Sequence, residues 1–173
     1  LLGQMTGYMD ISTSDATADL TTQKVMSGIE YYASGLMKSY SEVTFEHAID
    51  TGIFSVTTNT VRTGIAYNLL GQMTGYMDIS TSDATAGLTT QKVMSGIEYY
   101  ASGLMKQYSD VTFEHALDTN IFSVTTDTAR SGISYNALGQ MTGYMDISTS
   151  DATSELTTQK VMSGIEYYAS GLM

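Results

Sequence analysis

The sequence predicts an all-α protein, a tandem array of antiparallel helix pairs that stack into a solenoid or filament. Three observations lead to this prediction: a repeat of 68 residues, apolar residues at helical spacing, and the absence of proline from all 173 residues. A fixed long period is typical of modular arrays in which each unit buries its apolar surface against the next.

The repeat is visible in one long phrase. LLGQMTGYMDISTSDATA begins at Leu1 and returns at Leu69, and a close copy begins at Ala137. We therefore divide the chain into unit 1 (residues 1–68, circularly shifted), unit 2 (69–136) and a partial unit 3 (137–173). Atypical polar repeats usually cap such arrays, and the sequence has none, so we expect the chain to belong to a longer array.

Each unit contains a second, weaker echo. The segment from Val25 and the segment from Val61 share the pattern V-x-x-G-I-x-Y-x-x-x-G-x-M-x-x-Y. We interpret the two related segments as the two helices of one pair.

The first helix is expected over residues 22–50. Its N-cap would be Thr21 or Thr22, and its C-cap would be Gly52, which becomes Asn120 in unit 2. On a helical wheel one stripe about 100° wide is apolar. That stripe contains Val25, Ile29, Tyr32, Ala33, Leu36, Tyr40 and Val43.

The second helix is expected over residues 59–79, with Asn59 as its N-cap and Asp127 as the N-cap of the next copy. It is apolar almost all round, which is typical of a buried helix. A membrane span is disfavoured, because Asn68, Gln72 and three glycines interrupt the run.

A β-rich repeat fibre is the alternative fold. The stretch FSVTTNTVRTGIAY, which begins at Phe54, places β-branched residues near a period of two. The absence of proline and the longer 3.6-residue pattern favour helices over this alternative.

Composition narrows the function classes. Residues of the apolar classes make up 42% of the chain, enough for a packed core. The net charge of -11 disfavours nucleic acid as a partner, and the lack of cysteine excludes disulfides and thiolate chemistry. An acidic, cysteine-free repeat chain suits an extracellular or cell-surface location.

Glycines within the expected helices are the main candidates for assembly contacts. Each costs about 0.5–1 kcal/mol relative to alanine in a helix, so close packing against another helix must offset them. We expect them to form a seam on one helix edge. The candidates are Gly28, Gly35, Gly64, Gly71, Gly75, Gly96, Gly103, Gly132, Gly139 and Gly143.

Tyr31 and Tyr67 extend this set, because both fall outside the main apolar stripe of their segment. Repetition would present such side chains at fixed spacing and make them assembly contacts. The alternative is that they are buried against neighbouring units of the same chain.

The phrase D-I-S-T-S-D is a weak candidate for calcium, since its carboxylates and hydroxyls are oxygen ligands. It does not follow the EF-hand pattern, and an Asx or Ser/Thr turn is the favoured interpretation. The carboxylates concerned are Asp10, Asp15, Asp78, Asp83, Asp146 and Asp151.

Catalysis has little support. His47 follows Glu46, and His115 follows Glu114, but the sequence pairs neither histidine with a nucleophile. A histidine in the last turn of a helix is explained by the helix dipole. We predict no catalytic residue and no cofactor.

These observations favour a structural protein that assembles with itself into a fibre, ribbon or surface layer. Its partner would be another copy or a neighbouring repeat, with no nucleic acid and no membrane span. An extracellular repeat adhesin or spacer, possibly stiffened by calcium, is the alternative, and an enzyme is the least favoured class.

Overall fold

A computed structural model describes residues 3–13, 20–48, 55–85, 87–116, 123–153 and 156–167, which form one antiparallel sheet of ten strands. The strand order follows the chain, so each strand hydrogen-bonds to the strand before it and the strand after it. The strands are β1 (Tyr8–Thr13), β2 (Leu20–Tyr31), β3 (Met37–Ala48), β4 (Ser55–Tyr67), β5 (Met73–Ser82), β6 (Leu88–Tyr99), β7 (Met105–Ala116), β8 (Ser123–Tyr135), β9 (Met141–Ser150) and β10 (Thr157–Met162).

The predicted all-α array is wrong. The described residues contain no α-helix, only short 3-10 turns at Asp83–Thr85 and Asp151–Thr153, and the β-rich alternative fits. The predicted helical character and glycine-mediated helix packing fall with it. Among the described residues there is also no helix long and apolar enough to cross a bilayer.

The expected helices and their caps fall on strands and hairpin turns. Residues 22–50 include most of β2 and all of β3, and residues 59–79 run from β4 into β5. Of the expected cap residues, Thr21 and Thr22 lie in β2, and Asn59 and Asp127 lie in β4 and β8. Gly52 and Asn120 are outside the described residues.

The apolar stripe misled because it runs through a chain reversal. Val25 and Val43 lie directly opposite each other on β2 and β3. Between them the Tyr32 N–H donates to the Leu36 carbonyl at 2.8 Å and closes a hairpin. Two strands of period two, joined by a tight turn, therefore place apolar residues at intervals that resemble helical spacing.

The echo within each unit corresponds to a hairpin. Gly28 and Gly64 have φ of 60° and 62°, and the strand register shifts beside each of them, as at a β-bulge. Seven residues further on, Gly35 and Gly71 have φ of 85° and 77° and end three-residue turns. Both places need the left-handed backbone that glycine adopts without strain.

A tyrosine ties each hairpin to the one before it. The Tyr67 hydroxyl donates to the Met37 carbonyl at 2.9 Å, and Tyr31 makes the same contact with Met5 at 2.8 Å. Beside Tyr67, the Tyr32 ring packs edge-on at 6.5 Å between centroids, and its hydroxyl donates to the Ile65 carbonyl. The contact recurs in the later hairpins from Tyr99, Tyr135 and Tyr167 to the carbonyls of Met73, Met105 and Met141.

The two faces of the sheet differ in chemistry. Away from the bulges, every register pairs even-numbered residues with even-numbered residues and odd with odd, so one parity occupies each face. We call the even face, which carries Arg62 and Asp78, the charged face. We call the odd face, which carries Val61 and Ile79, the apolar face.

The sheet is a single layer, since the elements of the described chain contact mainly their sequence neighbours. The packed core expected from composition is correspondingly small in these residues. Its buried apolar side chains lie near the bulges: Met26, Ile29, Ile65, Ile97 and Ile133.

Gly75 lies where β5 approaches the backbone of β6. A Cβ added at Gly75 would sit 2.9 Å from the Met94 carbonyl oxygen, and Gly143 has the same relation to Met162 at 2.8 Å. We expect Gly75→Ala to lower the free energy of unfolding by about 1–3 kcal/mol, because backbone has to move. Urea denaturation measures the change.

Gly71→Asn is the matched control. Asparagine tolerates the left-handed backbone at Gly71, and the nearest atom to an added Cβ there is a Leu36 methyl at 4.0 Å. Its loss of stability should be clearly smaller. Equal losses in the two variants would contradict the close approach at Gly75.

Candidate functional site

The most organised group of polar side chains surrounds Arg62 on the charged face. The register places Arg62 of β4 opposite Tyr40 of β3 on one side and Asp78 of β5 on the other. Arg62 donates to both carboxylate oxygens of Asp78, with Nε–Oδ1 at 2.7 Å and Nη2–Oδ2 at 2.6 Å. The pair is the planar, two-bond geometry in which arginine binds a carboxylate most strongly.

Two tyrosine rings cover the same guanidinium. Its central carbon lies 3.8 Å from the ring centroid of Tyr76 and 5.6 Å from that of Tyr40. Aromatic faces attract a cation, more so where water is displaced. We call Arg62, Asp78, Tyr40 and Tyr76 the arginine clamp.

Unit 2 repeats the clamp with almost unchanged geometry. Arg130 contacts Asp146 at 2.7 and 2.8 Å and lies 3.8 Å from Tyr144 and 5.6 Å from Tyr108. The recurrence at a spacing of 68 residues means that the clamp belongs to the repeat rather than to one place in the chain.

Proton affinities reflect this pairing. The hydrogen bond to Asp78 raises the pKa of Arg62 above its ordinary value, against the opposing effect of burial. The hydrogen bond from Arg130 lowers the pKa of Asp146, which desolvation opposes. Desolvation raises the pKa of the Tyr40 hydroxyl, so this ring stays neutral at physiological pH. Both clamps are therefore fully charged ion pairs near pH 7.

Further cross-strand pairs extend the charged face. Lys24 contacts Glu42 at 2.8 Å, and Lys92 contacts Asp110 in unit 2. Hydrogen bonding to the partner carboxylate raises the pKa of each lysine. Hydroxyl pairs such as Thr60 with Ser80, at 2.9 Å, lie between these ion pairs. The clamps and these pairs join adjacent strands by side chains as well as by backbone.

This arrangement suits mechanical linkage better than chemistry. The fork of Arg62 is occupied by Asp78, which leaves it poorly placed to bind a phosphate or a substrate carboxylate. General acid-base catalysis needs a titrating group near neutral pH, and the clamp residues described above do not supply one.

The predicted glycine candidates divide into three local roles within the chain. The helix edge on which we expected them does not exist, because they lie in strands and turns. Bulge positions with positive φ are Gly28, Gly64, Gly96 and Gly132; turn positions with positive φ are Gly35, Gly71, Gly103 and Gly139; positions of close backbone approach are Gly75 and Gly143. A further role in assembly stays a prediction. The tyrosine candidates, Tyr31 and Tyr67, both make the hydrogen bonds between hairpins described above.

The calcium candidates do not converge. Asp78 and Asp146 are held by arginines, and Asp83 and Asp151 accept hydrogen bonds from the backbone N–H of Thr57 and Thr125, each at 2.8 Å. Asp10 is an exposed residue of β1, and Asp15 lies outside the described residues. No group of three or more His, Cys, Asp or Glu suited to a metal occurs in the described part of the chain.

The explanation of the histidines by a helix dipole is wrong, because His47 and His115 lie in β3 and β7. The His115 ring is exposed and stacks on Phe113 with 6.1 Å between centroids. Glu114 points to the opposite face of the strand from His115. The side chain of His47 is outside the described residues.

The arginine clamp was missed at the level of sequence. Arg62 and Asp78 are 16 residues apart, a spacing that brings them together only across two paired strands. The available signal was that both residues, with Tyr40 and Tyr76, recur in unit 2 at the same spacing.

Comparison of the chain with protein-family models, curated proteins and solved structures finds no match in any of the three. The fold and the clamps define a repetitive antiparallel-sheet protein whose side-chain pairs recur with the repeat. Its function is inferred from the contacts and surfaces of this sheet.

Asp146→Asn tests the clamp through its pH dependence. Because the folded-state pKa of Asp146 is lowered, its stabilisation is present above the ordinary carboxyl pKa of about 4 and disappears as the pH falls through the folded value. We expect the variant to lose about 1–3 kcal/mol at pH 7. Urea denaturation should show this difference shrinking toward acid pH.

Asp10→Asn is the control, since Asp10 holds the same place in the repeat as Asp146 but is exposed on β1. It should change stability by less than Asp146→Asn at either pH. A loss for Asp146→Asn that is equally large at acid pH would argue against the ion pair as its source.

Proposed function

We propose that this chain is a structural repeat protein, an extended β-sheet scaffold that acts outside the cell as a spacer or as part of a ribbon or surface layer. The observation that carries the proposal is the recurrence of one set of cross-strand contacts along a sheet whose strand order follows the chain. Each unit then contributes the same increment of sheet, whatever its place.

The increments extend the molecule in one direction. Each unit supplies four strands, and neighbouring strands lie about 4.8 Å apart, so each unit adds about 19 Å across the strands. Arginine clamps, lysine–carboxylate pairs and tyrosine hydrogen bonds lie across successive strand pairs and resist their separation. Length set by repeat number and joints reinforced by side chains are what a spacer requires.

A repeat adhesin is the second candidate, favoured by the hairpin turns. Leu70 and Leu138 project into solvent at equivalent turns, beside hollows lined by residues such as Tyr32 and Tyr100. Repeated apolar tips could engage a surface at many points. Loss of adhesion on Leu70→Ser with Leu138→Ser, without loss of fold, would favour this candidate.

Inserting further copies of residues 69–136 after residue 136 tests the scaffold. We expect the maximum dimension in small-angle X-ray scattering, measured at low concentration, to grow by about 19 Å for each added copy. The matched control inserts a glycine-serine segment of the same length, whose contribution should scale with the square root of length. A dimension that levels off as copies are added would contradict an extended scaffold.

A further inference from the structure

We propose that the apolar face is an interface for a second copy of this chain, which gives a two-layer sandwich of sheets. This deepens the proposed scaffold role and rests on it for the assumption that the partner is the chain itself. The argument uses the exposure, the charge and the area of that face.

Side chains in the middle of the apolar face are uncovered. Val61 and Ile79 face each other on β4 and β5, the middle strands of the sheet, yet they are 43% and 39% exposed. Met77 and Val93 form the next pair along the same face. A sheet with one apolar side normally buries it against another layer, and the described chain supplies no such layer.

Charge is sorted away from this face. Among the odd-numbered residues of the regular strand segments whose side chains are described, Asp127 alone carries a formal charge, and its counterpart in unit 1 is Asn59. The clamps and lysine–carboxylate pairs all lie on the other side. Copies that each carry a net charge of -11 repel, and the apolar face is the surface through which they can approach with the least repulsion.

Polar groups on the apolar face are already partly satisfied. The Gln91 amide donates to the Met77 sulfur at 3.3 Å, and Gln23 and Gln159 make the same contact with Met9 and Met145 at 3.0 Å. Covering these amides therefore leaves fewer unpaired donors than bare glutamines would.

The exposed area matches what a dimer would bury. The chain exposes 11445 Å², whereas a compact protein of 18.7 kDa exposes about 8,300 Å². The excess is about 3,100 Å² for each chain, and obligate homodimers bury about 2,000–5,000 Å² from both chains together. One layer of the same kind is enough to account for the excess.

Geometry favours an identical partner. A two-fold axis brings the same patch from both copies together, so an apolar patch is complementary to itself. Two sheets stacked about 10 Å apart interdigitate their inner side chains. The axis would lie over β2 to β6, where the odd face has no formal charge in the described side chains and Asp127 stays toward the rim.

The test compares two variants with the same change in charge on opposite faces. Ile79→Lys with Ile147→Lys places lysines on the apolar face at equivalent, part-exposed positions. Thr90→Lys with Thr158→Lys places them on the charged face, on β6 and β10. Sedimentation equilibrium of the full chain measures association, and circular dichroism checks the fold.

We expect the wild type and the threonine variant to form dimers, and the isoleucine variant to dissociate at least tenfold more readily, because a lysine in the interface loses its hydration. A wild type that is monomeric at every concentration overturns the inference. So does an isoleucine variant that dimerises like the wild type, or a threonine variant that is equally impaired.

Methionine footprinting needs no substitution and keeps the inference testable if the isoleucine variant does not fold. Met77 and Met145 lie on the apolar face, and Met94 and Met162 on the charged face. Hydroxyl-radical oxidation of the first pair should slow as protein concentration rises, while that of the second pair should not. Equal rates at all concentrations, or equal protection of both pairs, overturn the inference.

The two proposals fail separately. Dimers in sedimentation with a maximum dimension that levels off as units are added would support the sandwich and reject the scaffold. A dimension that grows with each unit in a chain that never dimerises would support the scaffold and reject the sandwich.

Discussion

Register is the constraint on which the rest of this structure depends. Every paired segment outside the bulges joins residues of the same parity, so the charged and apolar side chains separate onto two faces. A slip of one residue would put Val61 where Arg62 now meets Asp78 and would exchange the faces. Glycine turns fix the hairpin lengths, and the arginine clamp rewards the correct alignment with two hydrogen bonds. Local backbone and long-range side chains thus specify the same pairing.

A single layer has to find its stability between strands rather than between layers. The buried apolar side chains of the described residues cluster near the bulges, where Ile65 and Ile133 are almost completely covered. Elsewhere, cross-strand ion pairs, hydroxyl pairs and tyrosine hydrogen bonds supplement the backbone ladder. Each such contact contributes about 1 kcal/mol or less, so the sheet depends on many of them. The apolar face remains as surface that a second layer could stabilise.

Sequence reasoning found the repeat and its inner echo but assigned the wrong secondary structure. The echo marks one hairpin, with Gly28 at the bulge and Gly35 in the turn. The helical stripe failed because Val25 and Val43 are opposite each other across a reversal, a relation that a wheel drawn for one continuous segment cannot represent. The stretch SVTTNTVRTGIAY, which supported the β-alternative, is strand β4. The clamp could not be found before the pairing of β4 with β5 was known.

Differences between the units separate the roles of the two faces. Tyr40, Arg62, Tyr76 and Asp78 recur unchanged in unit 2, as contacts that hold adjacent strands together must when every unit has the same strand pairing. On the apolar face, by contrast, Asn59 and Val61 become Asp127 and Ala129. These substitutions keep the backbone pairing and alter only the surface that the sheet presents. The charged face therefore specifies how strands join within a chain, while the apolar face is free to vary from unit to unit in how strongly it associates.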